Sequence, residues 1–346
     1  MSAAVPDFAA LLTDDRTIWD NWLAAYRLPV MTVADEVGIF TALIEAPLET
    51  EALAARLGVD ARALSIHLGL LAATGFVERR EGRWRATPVT RTYLNPADPA
   101  YWGPLLWGYR ASQPLHAQLM DTLKSGDKAE GHASAVQEWE RGEMPADLAV
   151  RIAAFMNSHS VWSSAAAARQ PLFSGVQSLL DVGGGSGIFS IALAKAWPEL
   201  RATVMEIPAM CAAAQPYADS AGLDGRVVTQ AVDMFREDWP IGHDTHFLSN
   251  IFHDWSNATC RLLAAKSFAA LPPGGRIILH EMLMDDDGCG PAATAAFSIL
   301  MLLGTRGRQY SLPELRGFLE GAGFTSVEAQ QTGGGYYALV TAVKPG

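Results

Sequence analysis

Apolar positions along the chain follow two rhythms. In the first hundred residues they recur at helical spacing, and from Leu179 onward they fall into short blocks that alternate with helical segments. Residues 28–44 carry Val30, Val33, Ala34, Val37, Phe40, Ala42 and Leu43 on one broad face, interrupted at Gly38. A second helix is predicted over 51–57, stopped by Gly58. A third spans 61–73, with Leu64, Leu68 and Leu71 on one side and Gly75 just beyond its end. Phe76-Val77-Glu78-Arg79, a turn at Glu81-Gly82 and Trp84-Arg85-Ala86 then read as a hairpin. Helix, tight turn, helix and hairpin together predict a winged-helix-like unit over 1–100.

Residues 101–174 are mainly helical in pattern. They contain an aromatic cluster (Tyr101, Trp102, Trp107, Tyr109) and a polar interruption over 124–134. Strands are expected over 179–182, 202–206, 227–231, 245–250, 276–281, 326–330 and 337–343, with helices over 188–196, 209–221 and 258–270. That alternation predicts an α/β, Rossmann-like, doubly wound and mostly parallel sheet over 175–346. The last two strands flank Gly333-Gly334-Gly335, which predicts an antiparallel hairpin at one edge. The segment 101–174 would link the halves and help form an acceptor pocket, because clefts between domains are favoured binding places.

Composition narrows the function classes. The 346 residues are 49% hydrophobic and 18% charged, the signature of a folded chain. A formal net charge of -11 argues against a nucleic-acid partner, whose binding depends on Lys and Arg displacing counterions. The hairpin does hold Arg79, Arg80, Arg83 and Arg85. The helix that would enter a groove, however, offers only Arg62 and His67 as polar readers, so dimerisation is the expected use of this unit. No run has the length and freedom from charge of a membrane span, and the start, 1–16, lacks the basic-then-apolar order of a signal peptide. Cys211, Cys260 and Cys289 are too few and too scattered for a disulfide framework or a metal cluster, which fits a cytoplasmic protein. His280, Glu281, Asp285, Asp286 and Asp287 raise the question of a metal. The three aspartates are expected in a solvated turn, and no metal is expected.

The sharpest local signal is Asp181-Val182-Gly183-Gly184-Gly185-Ser186-Gly187, after a predicted strand and before a predicted helix. Ligands of open α/β sheets bind at the carboxyl ends of strands, where such a loop sits. Glu206, ending the next strand, is placed to accept ribose hydroxyls. A dinucleotide fingerprint begun at Gly183 would put Ile188 where a small residue is needed, and the Lys-Ser/Thr ending of a P-loop is absent.

The loop, its acid and the segment Ile251-Phe252-His253-Asp254-Trp255 resemble the class I small-molecule O-methyltransferases, the family of the acetylserotonin and caffeate enzymes. The resemblance runs over nearly the whole chain. It implies S-adenosylmethionine as cofactor, a homodimer built by the winged-helix domain, and a small aromatic acceptor of secondary metabolism, phenolic or polycyclic. By position, Asp181, Gly183 and Gly185 would line the methionine end of the cofactor and Glu206 its ribose. Asp233 and Met234 would lie beside the adenine, and Ser249 would be a further contact. His253 would be the general base and Glu281 the carboxylate that orients it. Met156 and His159, within Phe155-Met156-Asn157-Ser158-His159-Ser160, would face the acceptor. Gln309 stands where the family has a second carboxylate, and an amide orients by hydrogen bonding without stabilising an imidazolium by charge. The apolar stripe Phe297, Ile299, Leu300, Met301 and Leu303 is a candidate pocket wall. Methyl transfer to carbon or nitrogen is the alternative chemistry on the same architecture, and a ligand-sensing DNA-binding regulator the alternative function.

Overall fold

The computed structural model describes residues 5–110, 112–129, 136–223, 225–333 and 335–346. Residues 130–134 of the polar interruption, Gly334 of the glycine run and the first four residues of the 1–16 segment lie outside the described residues. The chain divides into two compact units, each discontinuous in sequence.

One unit comprises Thr17–Ser134 and Leu283–Ser311. Its helices Arg27–Val37 and Ile39–Glu45 are the two halves of the predicted 28–44 face. Gly38 separates them because it adopts φ +89°, where a side chain would be strained. The helix Ala61–Ala73 forms over the predicted residues and is capped by Asp60, whose carboxylate accepts the Ala63 amide at 2.8 Å. Strands β1 (Val77–Arg80) and β2 (Arg83–Ala86) pair antiparallel as the hairpin. Val33, Phe40, Leu43, Leu53, Leu64, Leu68 and Trp84 are buried together with the helix Ala292–Gly304, which packs on Ala61–Ala73. The 297–303 stripe is part of this interior: Phe297 sits 5.5 Å from Trp19, and Ile299, Met301 and Leu303 are buried. Three of the four hairpin arginines have partners within this unit. Arg79 stacks on Trp84 at 5.3 Å, Arg80 pairs with Glu78 at 2.8 Å, and Arg83 lies 3.8 Å from Glu49. Arg62 donates to the carbonyl of Gly126, and His67 is wholly buried.

The other unit comprises Met1–Arg16, Ala135–Met282 and Leu312–Gly346. The predicted linker 101–174 is thus shared between the units. Strands β3 (Ser178–Val182), β4 (Arg201–Glu206), β5 (Val227–Ala231), β6 (Thr245–Ser249), β7 (Arg276–Met282), β8 (Thr325–Gln331) and β9 (Tyr337–Val343) form one sheet in the order β5-β4-β3-β6-β7-β9-β8. The first five in sequence run parallel. β9 is antiparallel to β7, and β8 forms the predicted antiparallel edge hairpin with β9. The strand order reverses between β3 and β6, which leaves a crevice at their carboxyl ends. Beneath it Phe247 packs on Phe173 and Phe189, at 6.0 and 5.4 Å. β6 stops one residue short of the prediction because Asn250 turns to φ +56°, a conformation that asparagine tolerates better than most residues. No helix among the described residues is long and apolar enough to cross a membrane.

Candidate active site

Asp181 lies within β3 rather than in the loop, and it is buried. Its Oδ2 accepts the Ser190 hydroxyl at 2.7 Å, while Oδ1 has no hydrogen-bond partner among the described residues. Burial, reinforced by the nearby Glu206 carboxylate, pushes its acid up to about 7. After β3 the chain turns through Gly183 (φ +65°) and Gly185 (φ +58°). A Cβ at Gly183 would stand 2.5 Å from Ile251 Cδ1, and one at Gly185 would stand 2.4 Å from Met156 Sδ. The turn therefore requires glycine twice, for its dihedral angles and for its neighbours. The first of those contacts joins the glycine loop to the histidine segment.

Glu206 ends β4 and accepts three donors. Oε1 accepts the Gly185 amide at 3.2 Å, and Oε2 accepts the Ile207 amide at 3.0 Å and the Trp139 indole N–H at 3.1 Å. Beyond β5, Asp233 Oδ1 accepts the amides of Phe235 and Arg236, at 2.8 and 3.1 Å, and Oδ2 pairs with the Arg236 guanidinium. Burial opposes ionisation of Asp233, but these donors outweigh it and hold the acid below its ordinary value. Met234 is buried beside it. Trp139, Gly183, Met205, Glu206, Ile207, Val232, Asp233, Met234 and Phe235 line a small open crevice. Asp181, Gly185 and Ser249 are not among the lining residues. The Ser249 hydroxyl instead bonds to His280 Nδ1 at 2.9 Å, and that ring stacks on Tyr337 with centroids 4.4 Å apart.

Phe252–Asp254 forms a single 3₁₀ turn after β6 and carries His253. Both are held by Glu281, near the end of β7. Its Oε1 accepts the amides of Ile251 and Phe252 at 3.1 and 2.9 Å, and its Oε2 lies 3.2 Å from His253 Nδ1. His253 Nε2 is 3.7 Å from Asp254 Oδ1, beyond a hydrogen bond. Burial, and after it the Asp254 carboxylate, raises Glu281 to about 8, against the amides of Phe252, Ile251 and His253.

Met156 and His159 lie on the long helix Ala146–Ala168. The Met156 thioether rests over the glycine loop, and the His159 ring lies 3.1 Å from the Ser160 hydroxyl and edge-on to Phe155. Gln309 belongs to the other unit, where its amide N–H donates to Ser298 Oγ at 3.1 Å and its side chain is buried. No group of three or more His, Cys, Asp or Glu among the described residues is arranged to hold a metal. Sequence reasoning missed Trp139, Ile207, Val232 and Phe235 as crevice residues and Ile251 as the link to the loop. The first four lie in no motif of the sequence, and Ile251, though it heads the histidine segment, has no polar chemistry to mark it.

Comparison with known proteins gives this geometry a family. Residues 116–325 match the model of the O-methyltransferase domain, and residues 20–96 match that of the O-methyltransferase dimerisation domain. The chain is 34% identical over 323 residues to 3-hydroxy-5-methyl-1-naphthoate 3-O-methyltransferase of Streptomyces sahachiroi, covering 92% of this chain and 90% of that one. It is 28% identical over 326 residues to acetylserotonin O-methyltransferase of Mus musculus, covering 88% and 82%. Among solved structures, an O-methyltransferase family 2 protein from Planctomyces limnophilus, in complex with apigenin, superposes with a TM-score of 0.87 at 28% identity and 99% coverage of both chains. The chain therefore belongs to the O-methyltransferase family and is an O-methyltransferase with an N-terminal dimerisation domain.

Proposed function

We propose that this enzyme methylates a hydroxyl of a small aromatic acceptor, phenolic or polycyclic, with His253 as general base and Glu281 as the carboxylate that orients it. The observation that carries the reading is the buried His253–Glu281 pair on a turn whose Ile251 packs against Gly183 of the loop. A phenol, with a pKa of about 10, is mostly protonated at neutral pH and gains from a positioned base. Glu281, whose Oε2 lies 3.2 Å from Nδ1, favours the tautomer with its proton on Nδ1 and leaves the lone pair of Nε2 for the reaction.

S-Adenosylmethionine, when bound, supplies an electrophilic methyl group on a sulfonium. The residues present fit it: Asp181 has an unpartnered buried oxygen, and the Glu206 carboxylate stands on the wall of the crevice beside Gly183, Asp233 and Met234. Asp181, Gly183 and Gly185 are assigned to its methionine end, Glu206 to its ribose, Asp233 and Met234 to its adenine, and Ser249 to a further contact. Met156, His159 and Gln309 are assigned to the acceptor. The same proposal gives dimerisation to 1–100, the acceptor pocket to 101–174 and catalysis to 175–346, in a homodimer. A naphthoate with a ring hydroxyl, named for the Streptomyces relative, and apigenin, bound by the Planctomyces protein, support an aromatic acceptor. Replacing His253 by Ala is expected to lower turnover of a hydroxynaphthoate by about 100- to 10,000-fold while calorimetry shows S-adenosylhomocysteine binding unchanged. Retained turnover would refute the base assignment.

A further inference from the structure

We propose that Trp139 is a cofactor-positioning residue, whose indole N–H fixes the carboxylate of Glu206 in the orientation that receives the ribose. The inference rests on the reading of Glu206 as the ribose acceptor and names the side chain that makes that carboxylate competent.

Glu206 is buried, and a carboxylate taken out of water reverts to its neutral acid unless donors replace the lost hydration. A neutral carboxyl accepts hydroxyl donors less well and spends one oxygen on its own proton. Three donors reach this carboxylate: the Gly185 amide, the Ile207 amide and the Trp139 indole. The two amides belong to loops that any chain with these strands would carry. Trp139 is the one side chain among the described residues that donates to it, and it comes from a separate helix, Val136–Arg141, distant in sequence. Its contact is to Oε2, which the Ile207 amide also occupies, so Oε1 with its single amide is the more open oxygen toward the crevice.

That short helix is itself fastened over the site. The Arg236 guanidinium, paired with Asp233, also donates to the carbonyl of Glu140, and a Cβ on Gly142 would lie 3.1 Å from Asp233 Oδ2. The indole therefore both walls the crevice and braces the carboxylate at its base. The charged and titratable groups around Glu206 are Asp181 on β3, Cys211 on the helix Pro208–Ser220, and Asp233 with Arg236 after β5. Asp181 works against a second anion, and Arg236 is committed to Asp233. Burial raises the Glu206 acid, and the Trp139 N–H is the foremost of the groups that bring it back down.

Trp139→Phe keeps the aromatic wall and removes the donor, so it separates positioning from packing. Calorimetric titration with S-adenosylhomocysteine from pH 5.5 to 8.5 is expected to show roughly 10-fold weaker binding at pH 7. The acid limb of the affinity profile is expected to move upward by about one pH unit, because Glu206 then takes up its proton at higher pH. KM for the cofactor should rise while kcat at saturation is kept, and Trp139→His, which retains a ring N–H, should recover part of the affinity. Glu206→Gln serves as the control: it should itself weaken binding, and adding Trp139→Phe to it should cost little more. If Glu206→Gln binds poorly but Trp139→Phe binds with unchanged affinity and profile, or more tightly, the role of Trp139 is refuted and the ribose reading stands. If Glu206→Gln binds like the unmodified enzyme, the ribose reading falls and the proposal falls with it.

Discussion

At the scale of single residues, Gly183 joins the two halves of the site. Its φ of +65° costs an L-residue about 1–2 kcal/mol, and a Cβ there would stand 2.5 Å from a methyl of Ile251, a side chain with little rotamer freedom. Gly183→Ala is therefore expected to lower the melting temperature by several degrees and to reduce turnover at least 10-fold, because the displaced Ile251 is two residues from His253; assays of Tm and kcat on the purified variant check both. Glu281→Gln probes the pair from the other side. Burial holds Glu281 mainly neutral below about pH 8, so its charge reaches the ring only above that pH. Removing the ionisable group is expected to lower kcat by about 10- to 100-fold, most strongly on the alkaline side of the pH–rate profile. An unchanged profile would show that Glu281 does not act through His253.

At the scale of elements, β3 carries a buried acid near its carboxyl end, ahead of the glycine loop. Asp181 titrates near 7 in the folded chain, well above an ordinary aspartate, so the fold favours its neutral form. The sign follows by linkage: the contribution is intact below about pH 4 and is lost as the pH rises through 7. Asp181→Asn has no such ionisation. In the absence of cofactor, its melting temperature relative to the unmodified protein is expected to climb by several degrees between pH 5 and pH 8, as differential scanning calorimetry would record; a constant difference would contradict the assignment. These elements were largely legible in the sequence. β5 and β9 form over the predicted residues, the remaining strands of the large sheet differ by single residues at their ends, and the helix Ile188–Ala196 follows the glycine run as expected. Local pattern suffices there because parallel strands buried on both faces read as compact apolar blocks. It fails for Trp139, whose partner Glu206 lies 67 residues away and whose neighbours show only helical periodicity. It fails likewise for the 297–303 stripe, where an apolar helix face does not say whether it covers a ligand or, as here, packs into an interior.

At the scale of the whole molecule, the family fixes the plan and leaves the assembly to be measured. The dimerisation-domain match covers 20–96, and Trp102, Leu105, Trp107 and Tyr109 just beyond it stand exposed, each with more than 40% of its surface open. Exposed aromatic and aliphatic side chains in such density mark a surface that a partner covers. Light scattering at micromolar concentration is expected to give about twice the chain mass, and Trp107→Asp to shift the population toward monomer. The sequence implies a dimer through the resemblance of its first hundred residues to a dimerisation domain, but not which face carries it, because exposure is settled only once the chain has folded. The central claim, that the glycine loop and Glu206 hold an adenosyl cofactor before the imidazole of His253, is tested most directly by a crystal structure with S-adenosylhomocysteine. The account predicts ribose hydroxyls on Glu206 and the thioether sulfur directed toward the ring of His253; a crevice that stays empty at saturating ligand, or a sulfur directed away from His253, would contradict it.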